Sequence, residues 1–73
     1  MPKLPRISGR EAVRALQRAG WEVARQRGSH VILTKPGSIY TLSVPLHREL
    51  GPGLLRSLLR KAGLTIEEFR ELL

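Results

Sequence analysis

The sequence contains no cysteine, aspartate or asparagine, and its two histidines are His30 and His47. Without cysteine, the chain can form neither disulfides nor thiolate metal sites, and it has no thiol nucleophile. Two histidines without cysteine or aspartate give no recognisable metal-ligand spacing. The segment Gly51-Pro52-Gly53 lacks the Lys-Ser/Thr of a nucleotide-binding loop. We therefore expect no metal ion and no small-molecule cofactor.

Long hydrophobic runs are also missing. No stretch approaches the length of a membrane span, and the opening Met-Pro-Lys-Leu-Pro is not a signal peptide. Together with the lack of cysteine, this favours the cytoplasm and argues against a membrane protein. A chain of 73 residues is the size of one small domain, which leaves no room for a large internal pocket. Any functional site should be shallow and lie on the surface.

Acidic residues are few and unevenly placed. The chain has 13 Lys and Arg against six Glu, for a net charge of +7. Twelve of the basic residues and three of the acidic ones lie in residues 1–61, so that part carries +9 and residues 62–73 carry −2. A field of this sign attracts polyanions, which makes nucleic acid, an acidic protein or an anionic membrane surface the candidate partners. Arginine outnumbers lysine ten to three, which favours recognition of phosphate by planar guanidinium groups.

Three helices are predicted from capping signals and apolar periodicity. Ser8 and Glu11 form a capping box that opens a helix over residues 9–19. Residues 51–63 begin with Gly-Pro-Gly and end with glycine, as a second helix would. Another capping box, at residues 65–68, opens a short last helix. The predicted apolar stripe of the second helix comprises Leu55, Leu58, Leu59 and Ala62.

Between the first two helices, three short runs predict β-strands at residues 21–26, 30–35 and 39–44. The runs are separated by Gly-containing and Pro-containing turns, which favours an antiparallel meander. The order α-β-β-β-α-α predicts an α+β two-layer sandwich, in which helices cover one face of a three-stranded antiparallel sheet. The strand residues predicted to face the helices are Trp21, Val23, Val31, Leu33, Tyr40, Leu42 and Val44.

His30 is the residue of greatest chemical interest. Because residues two apart share a face of a strand, His30 should lie opposite Val31 and Leu33, on the uncovered face near Thr41 and Ser43. A histidine beside a turn is more often an ordinary surface residue than a catalytic one. Three features support a catalytic role here: the net basic charge, the polar open face, and the basic neighbours Arg25, Arg27 and Lys35.

His47 follows the third predicted strand on a crossover to the second helix. It could supply a second ionisable group, but the solvated loop residue is the favoured interpretation.

Basic side chains and one histidine suit RNA cleavage. RNA carries its own nucleophile, the ribose 2′-hydroxyl, so an enzyme needs only to move protons and to stabilise charge on the phosphoryl oxygens. Imidazole is the side chain that most readily gains and loses a proton near neutral pH. DNA lacks this internal nucleophile, so a small nuclease without a metal points to RNA.

The chain also resembles a known family over essentially its whole length. Gly28-Ser29-His30, Val44-Pro45-Leu46-His47 and the segment from Gly53 to Phe69, which contains Leu-Arg-Lys-Ala-Gly-Leu, are similar to the HicA-type toxins of HicA/HicB toxin-antitoxin pairs. The resemblance implies a double-stranded-RNA-binding-domain-like fold, metal-independent cleavage of mRNA and a catalytic histidine at His30. It also implies a HicB-like antitoxin that masks the active face.

Two positions depart from the family pattern. Val31 stands where many members have a second histidine, and Leu54 stands where many have threonine. The change at Leu54 removes a capping hydroxyl from the start of the second helix, whereas the histidine to which the resemblance assigns catalysis is unaffected.

The sequence therefore predicts a toxin-type endoribonuclease, an mRNA interferase formed by a single HicA-like domain over residues 1–73. Its predicted partners are RNA and a HicB-like antitoxin. One alternative is a non-catalytic double-stranded-RNA-binding module, and another is an interaction protein whose basic face docks an acidic partner. The predicted roles are proton transfer by His30, positioning by Gly28 and Ser29, RNA binding by Arg25, Arg27 and Lys35, and a possible second acid or base at His47.

Overall fold

The computed structural model describes residues 3–73 and contains three helices and three strands. The elements are α1 (Gly9–Arg18), β1 (Glu22–Arg27), β2 (His30–Thr34), β3 (Leu42–Pro45), α2 (Pro52–Ala62) and α3 (Ile66–Glu71). The strands form one antiparallel sheet in the order β1-β2-β3. The predicted α+β architecture and the order α-β-β-β-α-α are confirmed.

Capping boxes open α1 and α3, as predicted. The Ser8 hydroxyl accepts the backbone N–H of Glu11, and the Glu11 carboxylate accepts the backbone N–H of Ser8 at 3.0 Å. The same reciprocal pair joins Thr65 and Glu68 at the start of α3. Each box satisfies two N–H groups that would otherwise lack an intrahelical partner. Helix α1 ends at Arg18, one residue before the predicted end.

The side chains that join the sheet to the helices form a continuous apolar core. On β2 and β3, Val31 lies opposite Val44, and Leu33 lies opposite Leu42. All four are buried, which confirms their predicted orientation. From the helices, the core receives Ala12, Val13, Ala15 and Leu16 of α1, Leu55, Leu58 and Leu59 of α2, and Phe69 of α3. Among residues 3–73 no charged side chain is buried, and no helix is long and apolar enough to cross a membrane.

The third strand is shorter than predicted. It begins at Leu42, so the predicted inward orientation of Tyr40 is wrong: Tyr40 is 47% exposed. A tight turn at Pro36 and Gly37 would bring Tyr40 opposite Leu33, but Leu42 occupies that position. The register is thus displaced by two residues, which retains the inward face for Leu42 and removes Tyr40 from the ladder.

The first strand also differs from the prediction. It runs from Glu22 to Arg27, and all six of its residues are exposed, although the sequence pattern predicted one buried face. Trp21 is buried as predicted but precedes the strand, whereas Val23 is 45% exposed. β1 is an edge strand of the sheet, and Val23 lies where the helices leave it partly uncovered.

The start of α1 packs directly against the end of β3. The Gly9 N–H donates to the carbonyl of His47 at 2.9 Å, and a Cβ atom placed on Gly9 would lie 1.9 Å from the carbonyl oxygen of Pro45. Only glycine fits this contact without a shift of backbone atoms.

We therefore expect Gly9→Ala to lower the free energy of unfolding by about 1–3 kcal/mol, the usual cost of overpacking. Gly53→Ala is the matched control, because nothing lies within 4 Å of a Cβ at that helical position. It should raise stability by about 0.5–1 kcal/mol, since alanine favours a helix more than glycine does. Urea unfolding followed by circular dichroism measures both changes. A Gly9→Ala variant as stable as the wild type would contradict the contact.

The capping box of α1 makes stability depend on pH. Hydrogen bonds from the backbone N–H and the hydroxyl of Ser8 lower the pKa of Glu11 below its ordinary value. Because the folded pKa lies below the unfolded one, the contribution of the carboxylate is fully present above the unfolded pKa and is lost as the pH falls through the folded pKa.

Glu11→Gln should therefore unfold more easily than the wild type at neutral pH, and the difference should vanish under acidic conditions. Thermal unfolding at a series of pH values measures this. The same substitution in a Ser8→Ala background is the control, where the pH-dependent part should be smaller, because the hydroxyl bond is lost and the backbone N–H of residue 8 still donates to the carboxylate. A difference that persists unchanged into acid would show that the carboxylate charge is not responsible.

Candidate functional site

A two-residue turn places His30 at the start of the central strand. Gly28 and Ser29 are the central residues of the β1–β2 hairpin, with Arg27 directly opposite His30. Gly28 has φ +58°, and no non-glycine residue among those described has a positive φ. Glycine at the first central position with a residue of negative φ at the second is typical of a type II′ turn.

Hydrogen bonds hold this turn from both sides. The side-chain amide of Gln26 donates to the carbonyl of Gly28 at 3.0 Å. The carbonyl of Ser29 accepts the N–H of Leu46 at 2.7 Å, which ties the turn to the chain that leaves β3. Gly28 and Ser29 thus precede His30 in a turn held by main-chain contacts, and their role in positioning His30 stays a prediction.

The strand register brings two predicted RNA-binding arginines onto the face of His30. Directly opposed residues of an antiparallel pair project to the same face of the sheet. Arg27 is opposite His30, and in the next row Arg25 is opposite Ile32, which in turn is opposite Ser43. This face is the one turned away from the buried Val31 and Leu33 side. His30 is exposed on it.

A β-bulge in β1 makes this arrangement compatible with the core. The register shifts between Val23 and Arg25, which leaves Ala24 as the additional residue. Val23 pairs with Leu33 on the helix-covered side, whereas Arg25 pairs with Ile32 on the open side. In a regular strand Val23 and Arg25 would share one face, so the bulge separates an apolar residue from a basic one.

His30 lines a shallow groove between β3 and α2, which we call the His30 groove. Thr41 and Ser43 of the β3 segment line it, as the sequence predicted. Helix α2 contributes Leu54, Ser57 and Lys61.

The residues from α2 were not predicted as part of the site. Leu54, Ser57 and Lys61 are spaced three and four apart, so they form one stripe beside the buried stripe of the helix. That spacing is visible in the sequence and could have identified the stripe. Because α2 is far from β2 in the sequence, the pattern did not indicate that this stripe of α2 lies beside His30.

Two predicted residues lie elsewhere. His47 is an exposed loop residue whose carbonyl accepts the N–H of Gly9, and it does not line the His30 groove. The ammonium of Lys35 donates to the carbonyl of Ala19 at 3.1 Å, just beyond the last turn of α1. The structure does not bring either side chain together with His30, and their functional roles stay predictions.

The groove offers groups suited to an anionic ligand. It combines an exposed imidazole, the ammonium of Lys61 and the hydroxyls of Thr41, Ser43 and Ser57, and no carboxylate is among its lining residues. An ammonium and hydroxyls can bind phosphate oxygens, and the imidazole can transfer a proton. Within residues 3–73, no group of three or more His, Cys, Asp or Glu is placed to hold a metal ion.

Comparison with known proteins identifies the family. The family model for the HicA toxin of bacterial toxin-antitoxin systems matches residues 9–64. A chain of the solved HicA3 and HicB3 toxin-antitoxin complex is similar in structure, with a TM-score of 0.70 and 33% sequence identity over 81% of this chain and 97% of that chain. No curated protein matches the sequence. The family match includes α1, the whole sheet and α2, and the chain therefore belongs to the HicA toxin family.

Proposed function

We propose that this HicA-family chain is an mRNA interferase, a toxin-type endoribonuclease that acts in the cytoplasm by metal-independent acid–base catalysis. One observation carries the proposal: the exposed imidazole of His30 lines the same groove as the Lys61 ammonium, and Arg25 and Arg27 share its face of the sheet. A proton-transfer group thus lies among groups that can bind phosphate on two sides.

The proposed reaction uses the 2′-hydroxyl of RNA as the nucleophile. His30 takes its proton, the 2′-oxygen attacks the adjacent phosphorus, and the bond from phosphorus to the 5′-oxygen breaks. The products are a 2′,3′-cyclic phosphate and a 5′-hydroxyl, with water supplying the proton to the leaving oxygen. Lys61 and the hydroxyls of Ser43 and Ser57 stabilise the charge that develops on the non-bridging oxygens.

A HicB-like antitoxin is the proposed regulator. The structural relative was solved in a complex of HicA3 with HicB3. In this chain, the groove and the arginine-bearing face are exposed, and the groove has no carboxylate in its lining. A partner with an acidic surface would neutralise this charge and cover His30, so it would block RNA by direct competition.

The non-catalytic double-stranded-RNA-binding module is the second candidate. The observation that favours it is the openness of the face, because Arg25, Arg27 and His30 are all exposed and could contact the backbone of a duplex without cleaving it. It predicts salt-sensitive binding without any product.

His30→Ala should lower the rate of RNA cleavage by about 10²- to 10⁴-fold, the usual contribution of a general acid or base. The melting temperature should change little, because the side chain is exposed. The assay incubates the purified chain with RNA in the presence of EDTA and resolves the products on a gel. His47→Ala is the matched control, since it removes the same side chain outside the groove.

Retained cleavage in His30→Ala would contradict the assignment to His30, whereas an equal loss in His47→Ala would assign the second acid or base to His47. Loss of wild-type activity with EDTA, restored by a divalent ion, would contradict metal independence. Salt-sensitive binding with no product at any protein concentration would favour the binding module.

Arg25→Gln and Arg27→Gln should each weaken RNA binding at low salt. Each should also reduce the slope of log affinity against log salt by about 0.7, the value expected for one phosphate contact on a single strand. Binding is measured with the His30→Ala protein, so that the RNA stays intact. Arg14→Gln on α1 is the control, because Arg14 is exposed but lies outside the sheet. If the slope of log affinity against log salt is the same in all three variants, Arg25 and Arg27 are not part of the RNA interface.

A further inference from the structure

A second cleft lies beside the His30 groove, between the β2–β3 loop and the C-terminal end of α2. We call it the Tyr40 cleft. Its wall on the loop side includes Ile39 and Tyr40, and its wall on the helix side includes Arg60 and Lys61. Trp21 and Lys35 also line it.

The loop holds Tyr40 in a defined place outside the core. The Ser38 N–H donates to the carbonyl of Lys35 at 3.0 Å, which closes a turn over Pro36 and Gly37. The Tyr40 N–H then donates to the Ser38 hydroxyl at 3.1 Å. Because these bonds fix the backbone on the N-terminal side of the aromatic ring, the half-exposed ring is presented without a large loss of conformational freedom on binding.

The charge of the cleft has one sign. Its basic side chains are Lys35, Arg60 and Lys61, and none of its lining residues is acidic. The Lys35 ammonium is engaged with the carbonyl of Ala19, so Arg60 and Lys61 are the cations available to a ligand. A flat aromatic surface beside two cations suits a ligand with a planar ring and a phosphate, as in a nucleotide.

Lys61 connects the two clefts. It lines the His30 groove through the stripe it shares with Ser57, and it lines the Tyr40 cleft beside Arg60. A strand whose scissile phosphate lies in the His30 groove would therefore meet the Tyr40 cleft next to Lys61. This continuity favours the ligand of the groove, RNA, over a separate protein segment.

We propose that the Tyr40 cleft is a subsite for single-stranded RNA, in which the ring of Tyr40 stacks on an unpaired base and Arg60 and Lys61 contact the flanking phosphate. The subsite rests on the proposed ribonuclease function, because it takes the His30 groove as the position of the cleaved bond. It makes the chain selective for single strands, since a base held in a duplex cannot stack on Tyr40.

Trp21 supplies a direct signal for occupancy. It is the single tryptophan of the chain, it is 2% exposed, and it lines the Tyr40 cleft. Its indole N–H is buried and has no hydrogen-bond acceptor among the residues described. A ligand in the cleft would change the surroundings of this indole, and therefore its fluorescence.

The test titrates the His30→Ala protein with a short single-stranded oligoribonucleotide and follows Trp21 emission. We expect a saturable change in emission. Tyr40→Ala should weaken binding about 5- to 150-fold, the loss typical of one base–aromatic stack, whereas Tyr40→Phe should retain most of the affinity. Arg60→Gln should weaken binding, and Arg56→Gln is its matched control, because Arg56 is exposed on the same helix but lines neither cleft.

A cleavage assay on the same substitutions, made in the protein that retains His30, separates the subsite from the proposed function. Efficient cleavage with equal affinity in Tyr40→Ala and the wild type would overturn the subsite and leave the ribonuclease in place. If neither the wild type nor any variant cleaves RNA, while RNA binding still depends on Tyr40, the proposed ribonuclease is overturned and the RNA subsite is supported. If Tyr40→Ala and Arg60→Gln weaken binding of a HicB-like antitoxin but not of RNA, the cleft belongs to the protein partner and the proposal is overturned.

Discussion

The site depends on the register of the β1–β2 hairpin, which decides which residues share a face of the sheet with His30. The two-residue turn at Gly28 and Ser29 makes Arg27 the partner of His30, and the residues that alternate with Arg27 must then share its open face. Val23 would fall on that face in a regular strand. The bulge at Ala24 reverses the alternation once, so that Val23 returns to the helix-covered side while the arginines stay beside the imidazole.

Helix positions could be predicted because their signals are local. The boxes at Ser8–Glu11 and Thr65–Glu68 involve residues three apart, and the outward orientation of His30 followed from period-two alternation within one strand. The bulge at Ala24 could not be predicted from its own residues. It depends on the turn at Gly28 and Ser29, which sets the face of the arginines, and on the core, which sets the face of Val23. The exposure of Tyr40 likewise depends on the register in which β3 pairs with β2. The sequence of β3 alone does not determine that register.

The β1–β2 turn and the start of α1 both contact the segment that follows β3, which couples the fold to the groove. The N–H of Leu46 donates to Ser29, and the carbonyl of His47 accepts from Gly9. The turn that carries His30 and the start of α1 are thus fastened to adjacent residues. Pro45 lies opposite His30 in the register, so a shift at the Gly9 contact would be transmitted to the position of the imidazole.

A chain this small cannot enclose a substrate, so its precision must come from backbone register rather than from burial. The groups around His30 come from β1, β3 and α2. Strand β3 and helix α2 are fixed by apolar side chains on their opposite sides, and β1 is fixed by its pairing with β2. Such a surface stays open to any polyanion that approaches it, because none of residues 3–73 closes over the groove. For the proposed RNA substrate, selectivity must then come from groups beside the groove, and Tyr40 is the exposed aromatic side chain that adjoins it through Lys61. Control of the same surface would then come from outside the chain, which agrees with the HicB-like partner that we propose covers it.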